Sequence, residues 1–501
     1  MSLFGSLELG KKSLSASQLG QAVSGHNIAN VDTDGFSRQE IVQASGRPHN
    51  GKVHGVDVTT VRRIQDGFTK NKVIKEQNVV SSWETKENVL QEAQIIYADL
   101  DGQRLRGDMD AFWSAWASLA NEPESVTMRK ALLAKSVALT EGFQSFHHRL
   151  HEFRETINDK LSQEFRKVNQ VSREIAQLNK QIQQLEAQNL PANDPRDSRE
   201  NALLEMSKLI DVQFYETPKG TLEIQTGSGQ YLVQGRDYYE LEPIVDSDDS
   251  LNLNVGVKDN IGVVTDITGT LKGGTISEFI NQRDGNIKRY RDEMNEMVQE
   301  IVFSVNRIHS QGTGILGAKY VEKGAYPFSD VELEKPLPYL KTGSFEIKMV
   351  EQDDSFGEMI SVDVVAGEDS LNLIIEKINR AAGAYEVIDE KGTERLKEHN
   401  KLLATIEEDG RLVLKSGEGK KFIFGDDESG VLTLAGWNSF FHSRVGAQDI
   451  HVNPDLVANE LNIATGKDMI PGENRVVMQI AGLQSARTMN DETISFDQFF
   501  N

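Results

Sequence analysis

The sequence predicts an elongated, multidomain α+β protein: a long antiparallel coiled-coil-like helical bundle with β-rich segments and one inserted α+β domain. Three observations lead there. Apolar residues recur at spacings of three and four at Leu139, Phe143, Phe146, Leu150, Phe153, Ile157, Leu161, Val168, Val171, Ile175, Leu178, Ile182 and Leu185. Such a row is a coiled-coil seam, here with a stutter at Ile157–Leu161 and one polar intruder, Glu164. A second seam repeats every seven residues at Ile280, Ile287, Met294, Ile301 and Ile308, with Tyr290 and Met297 between. After Gly317 the apolar period falls to two, the mark of strands, and helical pattern returns only after Ser443.

Taken in order, residues 1–37 read as an N-terminal arm. Its apolar positions Leu3, Leu7, Leu14, Val23 and Ile28 stand among many Gly and Ser. Each Gly costs a helix up to about 1 kcal/mol relative to Ala, so the arm should fold mainly against a partner. Asn27, Asn30 and the turn pair Asp34-Gly35 then end it. Residues 38–316 form the bundle domain. A hairpin is expected from Arg38 to Arg63 around Gly46, Gly51 and Gly55, then helix from Asp66 to Asn121 with breaks near Gly102 and Gly107. Glu122-Pro123 should start the long helix, and Pro191 and Pro195 stop it. Its roughly 60 residues make a rod of about 90 Å. The two seams read as antiparallel neighbours, and the stretch Asp211–Gly274 between them as strands. Residues 317–444 read as the inserted α+β domain with one helix at Ser370–Ala382. Residues 445–501 return to the bundle, the last helix opening at Pro471-Gly472.

Composition narrows the function. The 501 residues carry 77 acidic against 54 basic side chains, a net charge of −23, which disfavours nucleic acid and anionic lipid as partners. Cysteine is absent, which removes disulfides, thiolate metal sites and cysteine nucleophiles. No apolar run approaches the roughly 20 residues of a membrane span, and no cleaved secretory signal opens the chain. His147 and His151 have the i, i+4 spacing of a two-histidine metal site, but with His148 they flank the seam residue Leu150 and read as a packed or solvated face. Asp246, Asp248 and Asp249 lack the Gly and distal Glu of a calcium loop. Gly417-Glu418-Gly419-Lys420-Lys421 lacks the first Gly and the Ser/Thr of a phosphate loop. No catalytic residue, cofactor or metal is therefore expected. A wall hydrolase housed in the insertion is the losing alternative, kept open only because carboxylates are plentiful.

The stretch Ser24–Gln39, S-G-H-N-I-A-N-V-D-T-D-G-F-S-R-Q, resembles the N-terminal signature of the axial proteins of the bacterial flagellum, and its Ser37-Arg38-Gln39 ending resembles the hook-associated junction branch. Later segments fit in order: Asp194-Pro195-Arg196-Asp197-Ser198-Arg199, Gly273-Gly274 with Arg283-Asp284, Val431 to Phe441, and Pro471-Gly472-Glu473-Asn474. The resemblance implies a non-catalytic structural protein that links hook to filament by head-to-tail self-assembly. It implies as partners the hook protein, the second junction protein, further copies in a ring or helix, and the export apparatus with its chaperone. It implies secretion through the flagellar channel to the hook–filament junction. Another axial protein (hook, rod or filament) is the near alternative. The assembly interface is expected at Leu3, Leu7, Leu14, Val23, Asn27, Ile28, Asn30 and Gly35. In the family an apolar helix follows the region resembling Ile494–Phe500 and pairs with the N-terminal helix. This chain stops at Asn501, and the expectation is a shortened chain whose N-terminal stripe lacks that partner.

Overall fold

The computed structural model describes residues 3–45, 55–99, 104–247, 249, 251–337, 339–383, 385–388, 394–397, 401–417, 419–489 and 493–500. Gly46, Gly51, Gly102, Asp248 and Glu418 of the sequence reading thus lie outside the described residues. The chain groups into two compact units, Met1–Gln94 with Glu152–Lys288, and Ile95–His151 with Arg289–Asn501. It opens with helix α1 (Leu3–Ala29), the antiparallel hairpin β1 (Gln39–Ser45) and β2 (Val56–Arg63), and four helices: α2 (Gly67–Asp99), α3 (Arg106–Asn121), α4 (Val126–Ala187) and α5 (Asn193–Leu209).

In the first unit, α1 is helical throughout despite its glycines. One side lies on the hairpin: Ala16 is buried, a Cβ on Gly20 would sit 3.5 Å from Ile41, and Lys12 pairs with Asp57 at 2.8 Å. Tertiary packing supplies what helix propensity withholds. The meander β3 (Val212–Glu216), β4 (Leu222–Thr226), β5 (Tyr231–Gln234) and β6 (Asp237–Tyr238) follows α5. A second antiparallel sheet joins β7 (Glu240–Val245), β8 (Leu253–Lys258) and β9 (Val264–Asp266).

Both sheets are attached to α4 by asparagines that the apolar pattern does not single out. Asn179 accepts from the Leu222 N–H and donates to the Leu222 carbonyl, both at 2.9 Å. Asn169 makes the same pair of bonds with Leu241, at 2.7 and 3.0 Å. Asn158 donates to the Leu251 carbonyl at 2.6 Å. An amide can donate and accept in the geometry of a peptide, so Asn169 and Asn179 each continue a strand edge, while Asn158 holds the turn before β8. The seam itself is modified in three places. Phe165 is buried where the pattern has Glu164, and Ser172 and Asn179 are buried beside half-buried Val171 and Leu178.

Helix α6 (Gly274–Asn281) passes through a π-helical stretch, Gln282–Ile287, into α7 (Lys288–His309). Ile280, Ile287, Met294 and Ile301 are buried as the heptad pattern expects, but Ile308 is half-buried and His309 takes the interior position. A straight helix drifts about 20° per seven residues, so a strict heptad leaves the buried face after a few turns.

The second unit continues with β10 (Val321–Pro327), α8 (Asp330–Glu334), β11 (Gly343–Val350), β12 (Phe356–Val364), α9 (Leu371–Ala381), β13 (Tyr385–Ile388) and β14 (Glu394–Lys397). Then come β15 (Leu402–Ile406), β16 (Arg411–Ser416), β17 (Lys421–Asp427) and α10 (Val431–Ala435). Two antiparallel sheets, β12-β11-β17 and β10-β16-β15, share one core with α9, which includes Phe345, Ile374, Leu412, Phe424 and Trp437. The rest is short: β18 (Phe441–His442), β19 (His451–Val452), α11 (Pro454–Ala458), α12 (Arg475–Gly482), β20 (Arg487–Met489), β21 (Ile494–Ser495) and α13 (Phe496–Phe500).

Helix α4 starts at Val126, three residues later than Pro123 suggests, with the Ser125 hydroxyl accepting from Met128 N–H at 3.4 Å. The Pro123 carbonyl instead accepts from the fully buried Arg129 at 2.8 and 3.0 Å. The core around α3 is aromatic, with Phe112, Trp113 and Trp116 packed against Phe440, Phe441, Phe496 and His309.

His309 gives this unit an acid-sensitive core. The Ala464 N–H donates to Nε2 at 2.9 Å, so Nδ1 carries the proton and donates to the Asn438 carbonyl at 2.8 Å. Burial pushes the imidazole from 6.5 down to about 3. The unfolded chain takes up a proton near 6.5 and the folded chain does not. The contribution to stability is therefore complete above that pH and falls by about 1.4 kcal/mol per pH unit towards 3. Urea titrations between pH 7 and 4 should show this slope in the wild type and a shallower one in His309→Gln. Equal slopes would rule the account out.

Candidate functional site

The signature segment closes into a built turn. At the end of α1, the Asn27 side chain donates to the Gln39 carbonyl at 2.8 Å and accepts from the Gln39 N–H at 2.9 Å, clipping the helix to the start of β1. Asn30 bonds back to the His26 carbonyl through both its backbone N–H, at 3.1 Å, and its side chain, at 3.0 Å. The Asn30 side chain also accepts from the Thr33 hydroxyl at 3.3 Å. Phe36 folds under, its ring edge-on to His26 at 5.3 Å. Gly35 has φ +74°, and a Cβ there would lie 1.9 Å from the Asn201 side chain. Both conditions require glycine.

The turn is held by α5, whose first turns supply an acidic face. Asp197 accepts the Ser37 N–H at 3.0 Å and Arg63 at 2.7 Å. Glu200 accepts Arg63 at 2.8 Å and Lys70 more closely. Gln39 donates to Asp194 at 2.9 Å and accepts from Asn193 at 3.0 Å, while Asn193 also reaches the Val61 carbonyl. Arg63 and Asp197 are nearly buried. Burial raises the Glu200 carboxyl, but hydrogen bonds and charge from Arg63 and Lys70 outweigh it and hold the group below the usual range. A buried cation with two carboxylates is stable only while all its partners stay in place. The result is a rigid joint between α1, the hairpin and α5.

Of the expected interface residues, Asn27, Asn30 and Gly35 meet in this joint. Val23 is half-buried, whereas Leu7, Leu14 and Ile28 are 71%, 61% and 73% exposed, an open apolar row on α1. Leu3 lies in the helix, and its side chain is outside the described residues. Sequence reasoning missed Arg63, Lys70, Asn193, Asp194, Asp197, Glu200 and Asn201. The signal was present: three carboxylates at positions 194, 197 and 200 share one helix face, a pattern that asks for cations.

The other candidates have structural partners. Asp249 pairs with Arg154. Lys420 and Lys421 pair with Glu351 and Asp354 at 2.8 and 3.0 Å. Burial, then the charges of His151, Arg291 and His148, push His147 below its ordinary value. Among the described residues no three metal-ligating side chains converge, and no helix is long and apolar enough to cross a membrane.

Comparison with known proteins agrees with this architecture. The family model "Flagellar hook-associated protein FlgK helical domain" matches residues 90–321. The chain is 24% identical over 316 residues to flagellar hook-associated protein 1 of Salmonella typhimurium, covering 61% of this chain and 56% of that protein. It is 23% identical over 344 residues to the Bacillus subtilis protein of the same name, covering 62% and 68%. The chain thus spans little more than half the length of the Salmonella relative. The solved flagellar hook junction protein FlgK from Burkholderia pseudomallei shares the fold, with a TM-score of 0.52 at 13% identity, covering 86% of this chain and 93% of that one. On these concordant findings the chain is similar to flagellar hook-associated protein 1, and its residues 90–321 match the helical domain of that family.

Proposed function

We propose that this chain is a structural junction protein of the bacterial flagellum, joining hook to filament without catalysis. In this reading residues 1–37 are the assembly arm, residues 38–316 with 445–501 the bundle domain, and residues 317–444 an outward-facing insertion. Leu3, Leu7, Leu14, Val23 and Ile28 meet neighbouring subunits, and Asn27, Asn30 and Gly35 set the arm's direction. Contacts are head-to-tail, because two different faces that do not close on themselves generate rings or helices. The partners are the hook protein, the second junction protein and further copies, reached after export through the flagellar channel with a chaperone. Neither nucleic acid nor membrane is a partner.

The observation that supports this best is the pairing of an open apolar row on α1 with a buried polar joint at its end. A rigid joint lets an arm carry load, and an exposed row of leucines asks to be covered. Deleting the gene should leave intact hooks without filaments and release monomeric flagellin into the medium. The wild-type gene should restore filaments, and the triple variant Leu7→Ser, Leu14→Ser, Ile28→Ser should not. Filaments still attached in the deletion strain would overturn the reading. Peptidoglycan turnover by the purified protein, lost on changing an insertion carboxylate, would overturn its non-catalytic part.

A further inference from the structure

The second unit contains a groove of about 1340 Å³ that the junction reading does not use. Its floor is α7 at Phe303 and Arg307, one wall is α12 and the following turn at Leu483 and Ala486, and the other is formed by Tyr326, Phe328, Leu337 and Lys341 with α10. The volume exceeds the roughly 300–1,000 Å³ of small-molecule sites. A helix ~10 Å across would fill it over about 17 Å, roughly three turns.

Three features describe the occupant. The lining is apolar at Phe303, Phe328, Leu337, Leu434, Leu483 and Ala486, as for the buried face of an amphipathic helix. The rim is basic in a chain whose net charge is −23: Arg307, Lys341, Arg444 and Lys467 stand against Glu296 and Glu300. Arg444 and Lys467 already pair with Glu332 and Asp426, whereas Arg307 and Lys341 have no ion-pair partner among the described residues. The buried hydroxyls of Thr433 and Thr488, both in the lining, also have no hydrogen-bond partner among the described residues. Tyr339 lines the same groove, 80% exposed and with φ +73°, a conformation that bulky residues rarely adopt.

We infer that this groove docks an amphipathic helix of a partner protein, one whose apolar stripe is flanked by carboxylates. The stripe covers the apolar floor, and the carboxylates meet Arg307 and Lys341. The proposal is independent of the junction reading, since its test measures peptide binding and not motility.

The probe is a stapled 14-residue helical peptide with leucines at i, i+3, i+4 and i+7 and flanking glutamates, followed by fluorescence anisotropy on the whole chain. A twin carries lysine for every glutamate. The acidic peptide should bind at least tenfold more tightly than its twin. The double variant Arg307→Glu, Lys341→Glu should reverse that preference; both positions are exposed, so the fold should survive, as circular dichroism checks. Phe303→Ala should weaken both peptides. Failure of the acidic peptide to bind, equal binding of the two peptides, or a preference unchanged in the double variant would overturn the proposal. Wild-type dimers in sedimentation velocity that dissociate in the double variant would also overturn it, by showing a second copy as the occupant.

Discussion

Asp197→Ala should destabilise the first unit by about 3 kcal/mol and free the signature turn from α5. Removing the carboxylate takes one partner from Arg63, which is nearly buried, and the acceptor from the Ser37 N–H. Breaking one side of a buried ion pair typically costs about 3–5 kcal/mol. The lower figure applies because Glu200 still holds Arg63 at 2.8 Å. Urea denaturation would report the loss, and hydrogen exchange at the Ser37 amide would show the turn opening. Asp197→Asn is the control. It keeps an acceptor for Ser37 but no charge for Arg63, so it should recover only part of the loss. A cost below about 1 kcal/mol would show that the joint is an exposed, weak ion pair.

Asn438→Ala should cost the second unit about 3 kcal/mol or more. Its amide nitrogen donates to the carbonyls of His309, Ser310 and Gly312 at 3.2, 3.1 and 2.8 Å, and its side-chain oxygen accepts from Lys319 at 2.9 Å. The residue therefore ties the end of α7 to the return from the inserted strands. Each buried polar group left without a partner costs about 1–3 kcal/mol. Asn438 also has φ +49°, which asparagine tolerates better than alanine. Asn438→Gly separates the two effects: it removes the strain and still lacks the amide, so it should recover only about 1 kcal/mol of the loss. Full recovery would assign the effect to backbone strain alone.

Periodicity made much of this molecule legible. Most of the long apolar rows in α4 and α7 appear as buried residues because a helix repeats every 3.6 residues whatever surrounds it. The strand character of Asp211–Gly274 and the helix at Ser370–Ala382 follow from equally local signals, down to the Ser370 cap on Leu373. The polar residues at those same interfaces were not legible. Asn158, Asn169 and Asn179 look like ordinary surface positions in the sequence. Their role depends on strand edges and a turn that reach them from 43 to 93 positions away in the chain.

The signature segment shows the division most clearly. Its own residues determine a helix end, a tight turn at Gly35 and a strand start, because glycine and asparagine conformations are local properties. The family resemblance could also be read there. What only the tertiary structure decided is that the turn is rigid, and on which side of α1 the leucines stand. Asp194, Asp197 and Glu200 come from α5, 134 to 160 positions later, to meet Ser37, Gln39 and Arg63. The carboxylates mark a charged helix face in the sequence, but nothing local says which distant groups will meet it. Their pairing exists only once the chain has folded, which largely covers Asp197 and Glu200 and leaves Asp194 at the edge.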